Sequence, residues 1–317
     1  MTRLQIVSAN IGGHRHLNNQ PLDTTQVARD VRGILPIDPA QPTIIALQET
    51  TSVWRGEQRW SDGAALAALL GADYRFFFAP EVDSQNHAHQ RIWQRPLYQG
   101  YTRVENGNGI ITNLARAAWP WPLPGDGYPG SKGAEAISAS ISHARLYSSG
   151  SRDTQPRNAI LFPAASDFGT VYFMNTHWST RSGEERHNPE HPISQRASEE
   201  RLFETQQILL LVEELRAAER AQNRAPCPII LAGDFNAAPD TAEMRALETV
   251  FRRLIPVSPD YTHIVHKIPI DHILIADPSG LLPVNIVCRI HTAPEVAEIT
   301  DHRPVLAVIE QASTSTV

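Results

Sequence analysis

Four apolar runs in this chain each break off at a polar residue able to bind an ion or carry a proton. Ile6-Val7-Ser8-Ala9 ends in Asn10, and Ile44-Ile45-Ala46-Leu47 ends in Gln48-Glu49. Val171-Tyr172-Phe173-Met174 ends in Asn175-Thr176-His177, and Ile229-Ile230-Leu231-Ala232 ends in Gly233-Asp234-Phe235-Asn236. Short apolar runs of this kind read as buried strands. A strand end is a rigid mount at the edge of a sheet, so distant segments can assemble one site there. The pattern therefore asks for a fold that brings several strand ends together.

The remaining elements follow from periodicity and punctuation. Strands are predicted at Leu4–Ala9, Thr43–Gln48, Tyr74–Phe78, Ala136–His143, Asn158–Phe162, Val171–Asn175, Pro228–Ala232, Asp271–Ala276, Val284–Ile290 and Pro304–Ile309. Helices are predicted at Asp23–Leu35, capped by Asp23 or Thr24, and at Ser61–Leu70, capped by Ser61 and stopped by Gly71. The longest helix runs from about Ser194 to Asn223, and Asp240-Thr-Ala-Glu243 reads as a capping box behind Pro239. Several neighbouring strands have no helix between them, which favours sheet packed on sheet with outer helices over a simple doubly wound sheet. The stretch 80–132, rich in Pro and Gly, reads as loops around a short strand at Gly109–Thr112, either a surface excursion or a substrate rim.

Taken singly, the polar residues have plain structural readings. Asn10 can cap a turn, Asp234 and Asn236 can bond their own backbone, and Asp301-His302 can be a surface pair. Together, hard oxygen ligands, two histidines and several amides are what Mg²⁺-assisted phosphoester hydrolysis requires.

The ordered set resembles the endonuclease/exonuclease/phosphatase superfamily. The matching stretches are Ser8-Ala9-Asn10, Leu47-Gln48-Glu49, Gly107-Asn108-Gly109-Ile110-Ile111, Asn175-Thr176-His177, Gly233-Asp234-Phe235-Asn236, Ile270-Asp271-His272-Ile273 and Thr300-Asp301-His302-Arg303-Pro304. They span residues 8–304 in the family's order. The resemblance implies an α/β fold, a four-layer α/β sandwich with two packed central mixed β-sheets flanked by helices, and one domain over residues 1–317. It implies a divalent-metal-dependent phosphoester hydrolase, with Mg²⁺ as cofactor and Mn²⁺ as a substitute.

Carried over residue by residue, Glu49 resembles the principal metal ligand, with Asn10 beside it and Asp301 as a further metal-site carboxylate. Asp234 resembles the group that orients or activates the attacking water. Asn236 resembles the amide that bonds the phosphate and holds Asp234. His302 resembles the histidine acting on the reacting phosphate, Asp271 its orienter, and His177 a second catalytic histidine. Asn108 and Arg157 are candidate phosphate-binding residues, Arg157 equally a surface salt-bridge residue. Glu105 is a candidate orienter of His177. The last motif, Asp-His-Arg-Pro, and Leu-Gln-Glu-Thr at Glu49 depart from the abasic-site endonucleases, and no inositol-phosphatase substrate motif is present.

Composition narrows the partner. The net charge is −6, and Lys132 and Lys267 are the only lysines. Coating long duplex DNA needs several clustered cations, whereas arginine suits bidentate recognition of a few phosphates. The expected substrate is therefore a short, single-stranded or small phosphoester, with Trp93, Trp119, Trp121 and Trp178 as rim residues able to stack on a base. The alternatives are a phosphatase of small or lipid-linked phosphoesters and a non-catalytic binding module. The loop 179–195, with Arg181, Arg186, His187 and His191 among Glu184, Glu185 and Glu190, reads as a solvated charged loop. The two cysteines, Cys227 and Cys288, build no disulfide scaffold. No apolar run is long enough for a membrane span. The start of the chain leaves no room for a signal peptide, so a cytoplasmic monomer is the default expectation.

Overall fold

The computed structural model describes residues 3–12, 22–84, 98–120, 135–144, 155–180, 191–257, 261–283 and 285–311. In chain order the first half contains β1 (Arg3–Asn10), α1 (Thr24–Ile34), β2 (Thr43–Arg55), β3 (Gln58–Ser61), α2 (Asp62–Leu70), β4 (Arg75–Asp83), β5 (Arg103–Thr112), β6 (Ala115–Arg116) and β7 (Ile137–Ser140). The second half contains β8 (Asn158–Ser166), β9 (Gly169–His177), α3 (Pro192–Ala221), β10 (Ile229–Asp234), α4 (Ala242–Leu247), β11 (Arg252–Arg253), β12 (Asp271–Ala276), β13 (Ile286–Ile290), α5 (Val296–Ile299) and β14 (Val305–Glu310).

Two mixed seven-stranded sheets form the centre. The first has the order β13-β14-β1-β2-β5-β4, with β3 on β2; the second has β11-β12-β10-β9-β8-β6, with β7 on β8. Each contains one parallel pair. β1 and β2 run parallel with α1 as the crossover, and β9 and β10 run parallel with α3 as the crossover. Parallel neighbours need such a crossover, which covers the sheet's outer face.

The layers follow from which side chains each strand turns inward. Ile6, Ile44, Ala46 and Ile110 meet Phe162, Phe173, Ile230 and Ile273 between the sheets. Val7, Ile45 and Leu47 point the other way, onto Val27, Ala28 and Val31 of α1 and Leu66 of α2. Leu161, Met174 and Leu231 pack outward on Ile208, Val212 and Leu215 of α3 and on Met244 of α4. Strands covered on both faces read as continuous apolar runs, which explains the sequence pattern. The result is the expected α/β sandwich, with two sheets inside and helices outside.

Several boundaries differ from the sequence reading. β2 does not end at Gln48 but continues to Arg55, with a bulge between Leu47 and Thr50 where it pairs with β5. β4 likewise continues to Asp83, and the loop expected after Pro80 begins as strand, bulged between Pro80 and Val82. Polar residues at a bulge look like a strand end in one dimension. Gly107 lies at this irregularity: a Cβ there would come within 2.2 Å of the Ala79 carbonyl and 2.8 Å of the Glu81 nitrogen.

Capping also differs. Asp23 caps α1 by accepting from the Thr25 and Gln26 amides. Ser61 occupies the N-cap of α2, but its buried hydroxyl has no partner; Asp62 instead accepts from the Thr51 and Gly63 amides. Thr241, not Asp240, caps α4, and Glu243 does not reach back to close a box. Buried Glu243 accepts instead from Arg201 of α3 at 2.9 Å, because an arginine lies within reach in the interior.

Candidate active site

Asn10, His177 and Asp234 are the last residues of β1, β9 and β10. Asp234 is in register with His177 on one side and with Asp271 on the other. The chain near His302 joins them through a short bridge. His263 pairs with His302, the Ile264 amide donates to the Asp301 carbonyl at 2.7 Å, and the Arg303 amide donates to the Thr262 carbonyl at 2.8 Å. The Thr262 hydroxyl accepts from the Ile270 and Asp271 amides, so one turn fixes both Asp271 and His302.

Two positions there have left-handed backbone without being glycine: Glu49 at φ +58° and Asn236 at φ +47°. Such conformations cost about 1–3 kcal/mol and persist only where the surroundings impose them. At Glu49 the bulge imposes it, and the Asn106 side chain holds the Glu49 carbonyl at 3.1 Å. At Asn236 the backbone N–H donates to Asp234 Oδ1 at 2.9 Å, and Nδ2 donates to the Trp178 carbonyl at 3.1 Å.

Asp234 is the hub. Its Oδ2 accepts from Asn10 Nδ2 at 2.9 Å and lies 3.6 Å from His177 Nε2 and 3.8 Å from His302 Nε2. Burial, aided by the Asp271 charge, raises its pKa to about 7. Asp271 Oδ2 accepts from His302 Nδ1 at 2.9 Å. Burial opposes a charge on His302, but Asp271 and Asp234 outweigh it and lift its pKa to about 10. The pinned Nδ1–H leaves Nε2 facing the hub.

His177 is set up differently. Arg157 Nη1 lies 3.1 Å from His177 Nδ1 and donates to Glu81 Oε2 at 2.9 Å. An arginine can only donate, so Nδ1 accepts and the neutral ring carries its proton on Nε2, toward Asp234. Burial, then the Arg157 charge, holds the His177 pKa well below the ordinary value.

Four expected roles change. The carboxylate beside His177 is Glu81, not Glu105; Glu105 is engaged by Arg103 at 2.5 Å and by Arg59 at 3.8 Å. Arg157 is neither a surface residue nor positioned as a phosphate clamp, since its side chain is 1 % exposed and paired beneath His177. Asn108 is fully buried and donates to Glu81 and Asn158, so it lines no open surface. Asn10 is also oriented unlike a ligand. Its Oδ1 accepts from the Gly12 amide at 2.8 Å, and its nitrogen faces Glu49 and Asp234.

Asp301 sits beside His263 Nε2 at 3.4 Å and close to Gly12, where a Cβ would come within 3.0 Å of its Oδ1. Sequence reasoning missed Glu81 and His263. Glu81 ends the apolar run Phe76-Phe77-Phe78-Ala79-Pro80, the same signal that flagged Glu49, but the proline broke the pattern. His263 has no such signal.

Of the expected rim tryptophans, Trp178 is fully buried against Phe235 and Trp119 stacks on Tyr172 at 6.4 Å, so neither is a free platform. Trp93, Trp121 and most of the 179–195 loop lie outside the described residues.

The sequence profile of the Endonuclease/Exonuclease/phosphatase family matches residues 7–302. The chain belongs to that family. Its members are generally phosphoester hydrolases and typically depend on divalent metal. Solved structures share the fold at low identity. A family protein from Leptotrichia buccalis is 12 % identical with a TM-score of 0.57, over 97 % of this chain and 100 % of that one. The human Nocturnin catalytic domain with bound sulfate anion is 15 % identical with a TM-score of 0.53, over 97 % and 94 %. A beta toxin from Staphylococcus aureus is 12 % identical with a TM-score of 0.55, over 96 % and 99 %. No curated protein matches the chain in sequence. Among the described residues, no helix is long and apolar enough to cross a membrane.

Proposed function

We propose that this protein is a Mg²⁺-dependent phosphodiesterase that cleaves a P–O bond by in-line attack of water. The observation that carries the reading is the placement of Asp234 Oδ2 between two histidine Nε2 atoms, at 3.6 and 3.8 Å. The donor set suits a hard cation, because Glu49 and Asp234 bring carboxylate oxygens to the same Asn10 amide. One or two carboxylates suffice for Mg²⁺, which fills its other places with water and substrate oxygens. Glu49 and Asp234 would hold the ion, which when bound neutralises charge on the phosphoryl oxygens.

The protein's own groups supply the rest. Asp234, raised to about 7, takes the proton of the attacking water. Cationic His302, oriented by Asp271, donates from Nε2 to a phosphoryl oxygen. Neutral His177 donates from Nε2 on the other side of Asp234. Asn236 holds Asp234 through its backbone and has an amide hydrogen left for the substrate.

The scarcity of lysine favours short, single-stranded or small phosphoesters over duplex DNA. A phosphatase acting on small or lipid-linked phosphoesters is the second reading. Hydrolysis of bis-p-nitrophenyl phosphate with and without EDTA tests the reaction class. Metal-independent turnover, or none with any divalent ion, would defeat it. A panel of plasmid, abasic duplex, single-stranded DNA and RNA, inositol phosphates and sphingomyelin tests the substrate. Efficient nicking of plasmid at physiological salt, with little action on short substrates, would overturn the preference.

A further inference from the structure

Apart from the carboxylate oxygens of Glu49 and Asp234, there is a second cluster of a different chemical character. His263, Asp301 and His302 each bring one ligand atom to within 4.8 Å of the others. The His263 and His302 rings meet edge to face at 4.7 Å, and His263 Nε2 stands 3.4 Å from Asp301 Oδ2. The backbone fixes this arrangement through the His263–His302 bridge and the Ile264-to-Asp301 hydrogen bond. We propose that His263, Asp301 and His302 form a second cation site, selective for a borderline transition metal of the Zn²⁺ class, and that filling it switches the enzyme off.

Two imidazoles and one carboxylate are a donor set that Zn²⁺ favours and Mg²⁺ does not. Asp271 accepts from His302 Nδ1 at 2.9 Å, which is how a carboxylate orients a histidine whose other nitrogen binds metal. Asp234, Asp271 and Asp301 surround the place with negative charge, which favours a dication. His263 Nδ1 now accepts from the His266 amide at 3.2 Å. Binding through Nε2 moves the ring proton to Nδ1 and gives up that one exposed hydrogen bond, the amide turning to water.

The inhibitory consequence rests on the role given to His302 above; the site itself does not. An ion on His302 Nε2 displaces to solvent the very proton that this ring would otherwise donate to the phosphate. Zn²⁺ would then inhibit without displacing Mg²⁺ from Glu49.

The test uses the full chain and Co²⁺ as a coloured stand-in. Titration should give a visible ligand-field band that saturates near one equivalent. His263→Phe keeps a ring in place but has no donor, and should weaken Co²⁺ binding at least tenfold. Asp301→Asn should weaken it less, and Glu49→Gln should leave the band in place. Urea unfolding of each variant separates loss of the site from loss of the fold. In parallel, Zn²⁺ inhibition is measured at saturating Mg²⁺ as a ratio to each variant's own rate, and His263→Phe should raise the half-inhibiting Zn²⁺ concentration at least tenfold. An unchanged Co²⁺ band and affinity in folded His263→Phe would overturn the site. Unchanged Zn²⁺ inhibition in that variant would place the inhibitory ion elsewhere and overturn the switch. Absence of any hydrolysis would defeat the proposed function, and the Co²⁺ comparison would still decide the site.

Discussion

Asn10 Nδ2 donates to Asp234 Oδ2 at 2.9 Å, and this bond joins a central strand of one sheet to a central strand of the other. It is buried and has a charged acceptor, so its loss is costly. Asn10→Ala should lower unfolding free energy by about 1.5–3 kcal/mol in urea, the usual range for hydrogen bonds to charged groups. It should also lower activity, because Asp234 loses a donor that fixes its rotamer. A variant of unchanged stability would mean that water replaces the amide without loss.

Glu49 and His302 should fail in different ways. Glu49→Gln removes a charge at the proposed ion site, and excess Mg²⁺ should restore part of its activity. His302→Asn should lose roughly 10²–10⁴-fold in turnover, the range for acid–base groups, at any Mg²⁺ concentration. Identical Mg²⁺ titrations for the two variants would show that the roles are misassigned.

Arg157 is predicted to matter through Glu81 and His177 rather than through substrate. Arg157→Met leaves Glu81 as a buried carboxylate without its cation. Breaking such a pair from one side costs about 3–5 kcal/mol. Glu81→Gln added to Arg157→Met should recover much of that, because no lone charge remains. Additive losses in the double variant, measured in urea, would contradict the coupling.

His272 should make the protein acid-sensitive. Its ring is buried and donates to the Ala237 carbonyl at 2.9 Å, and burial lowers its pKa to about 4. Between pH 6.5 and 4 the unfolded chain therefore binds a proton that the folded one excludes. Its contribution is complete above 6.5 and is lost as pH falls toward 4. His272→Gln keeps a donor without titrating, so its melting temperature should fall less over that interval. Parallel pH profiles for the two proteins would contradict this.

The layer architecture was legible because strands buried on both faces must be continuously apolar, and the polar residues that end such runs stood out. Asn10, His177 and Asp234 were read this way, and the structure brings them to one place. Glu49 was found by the same signal for a different reason, since its strand bulges and continues. Arg157 and Asn108 were misread because a sequence shows that a residue is polar, not whether its partner lies in the interior. Both are spent on Glu81, which is 76 residues from Arg157 in the chain. His263 was invisible because only the bridge between two loops brings it to His302.

The pairing of β14 with β1 has a consequence for the chain as it is made. Arg3 is in register with Glu310, and His302 lies just ahead of that last strand. During synthesis β1 waits with one unpaired edge until β14 has been made. A ribosome-bound chain can already display Asn10, Glu49 and Asp234, yet it lacks both His302 and the strand that clamps it. The β1 edge and the place of His302 are therefore completed together, once β14 has been made. A chain cut short before β14 would leave that edge of β1 exposed, a template for pairing with other chains.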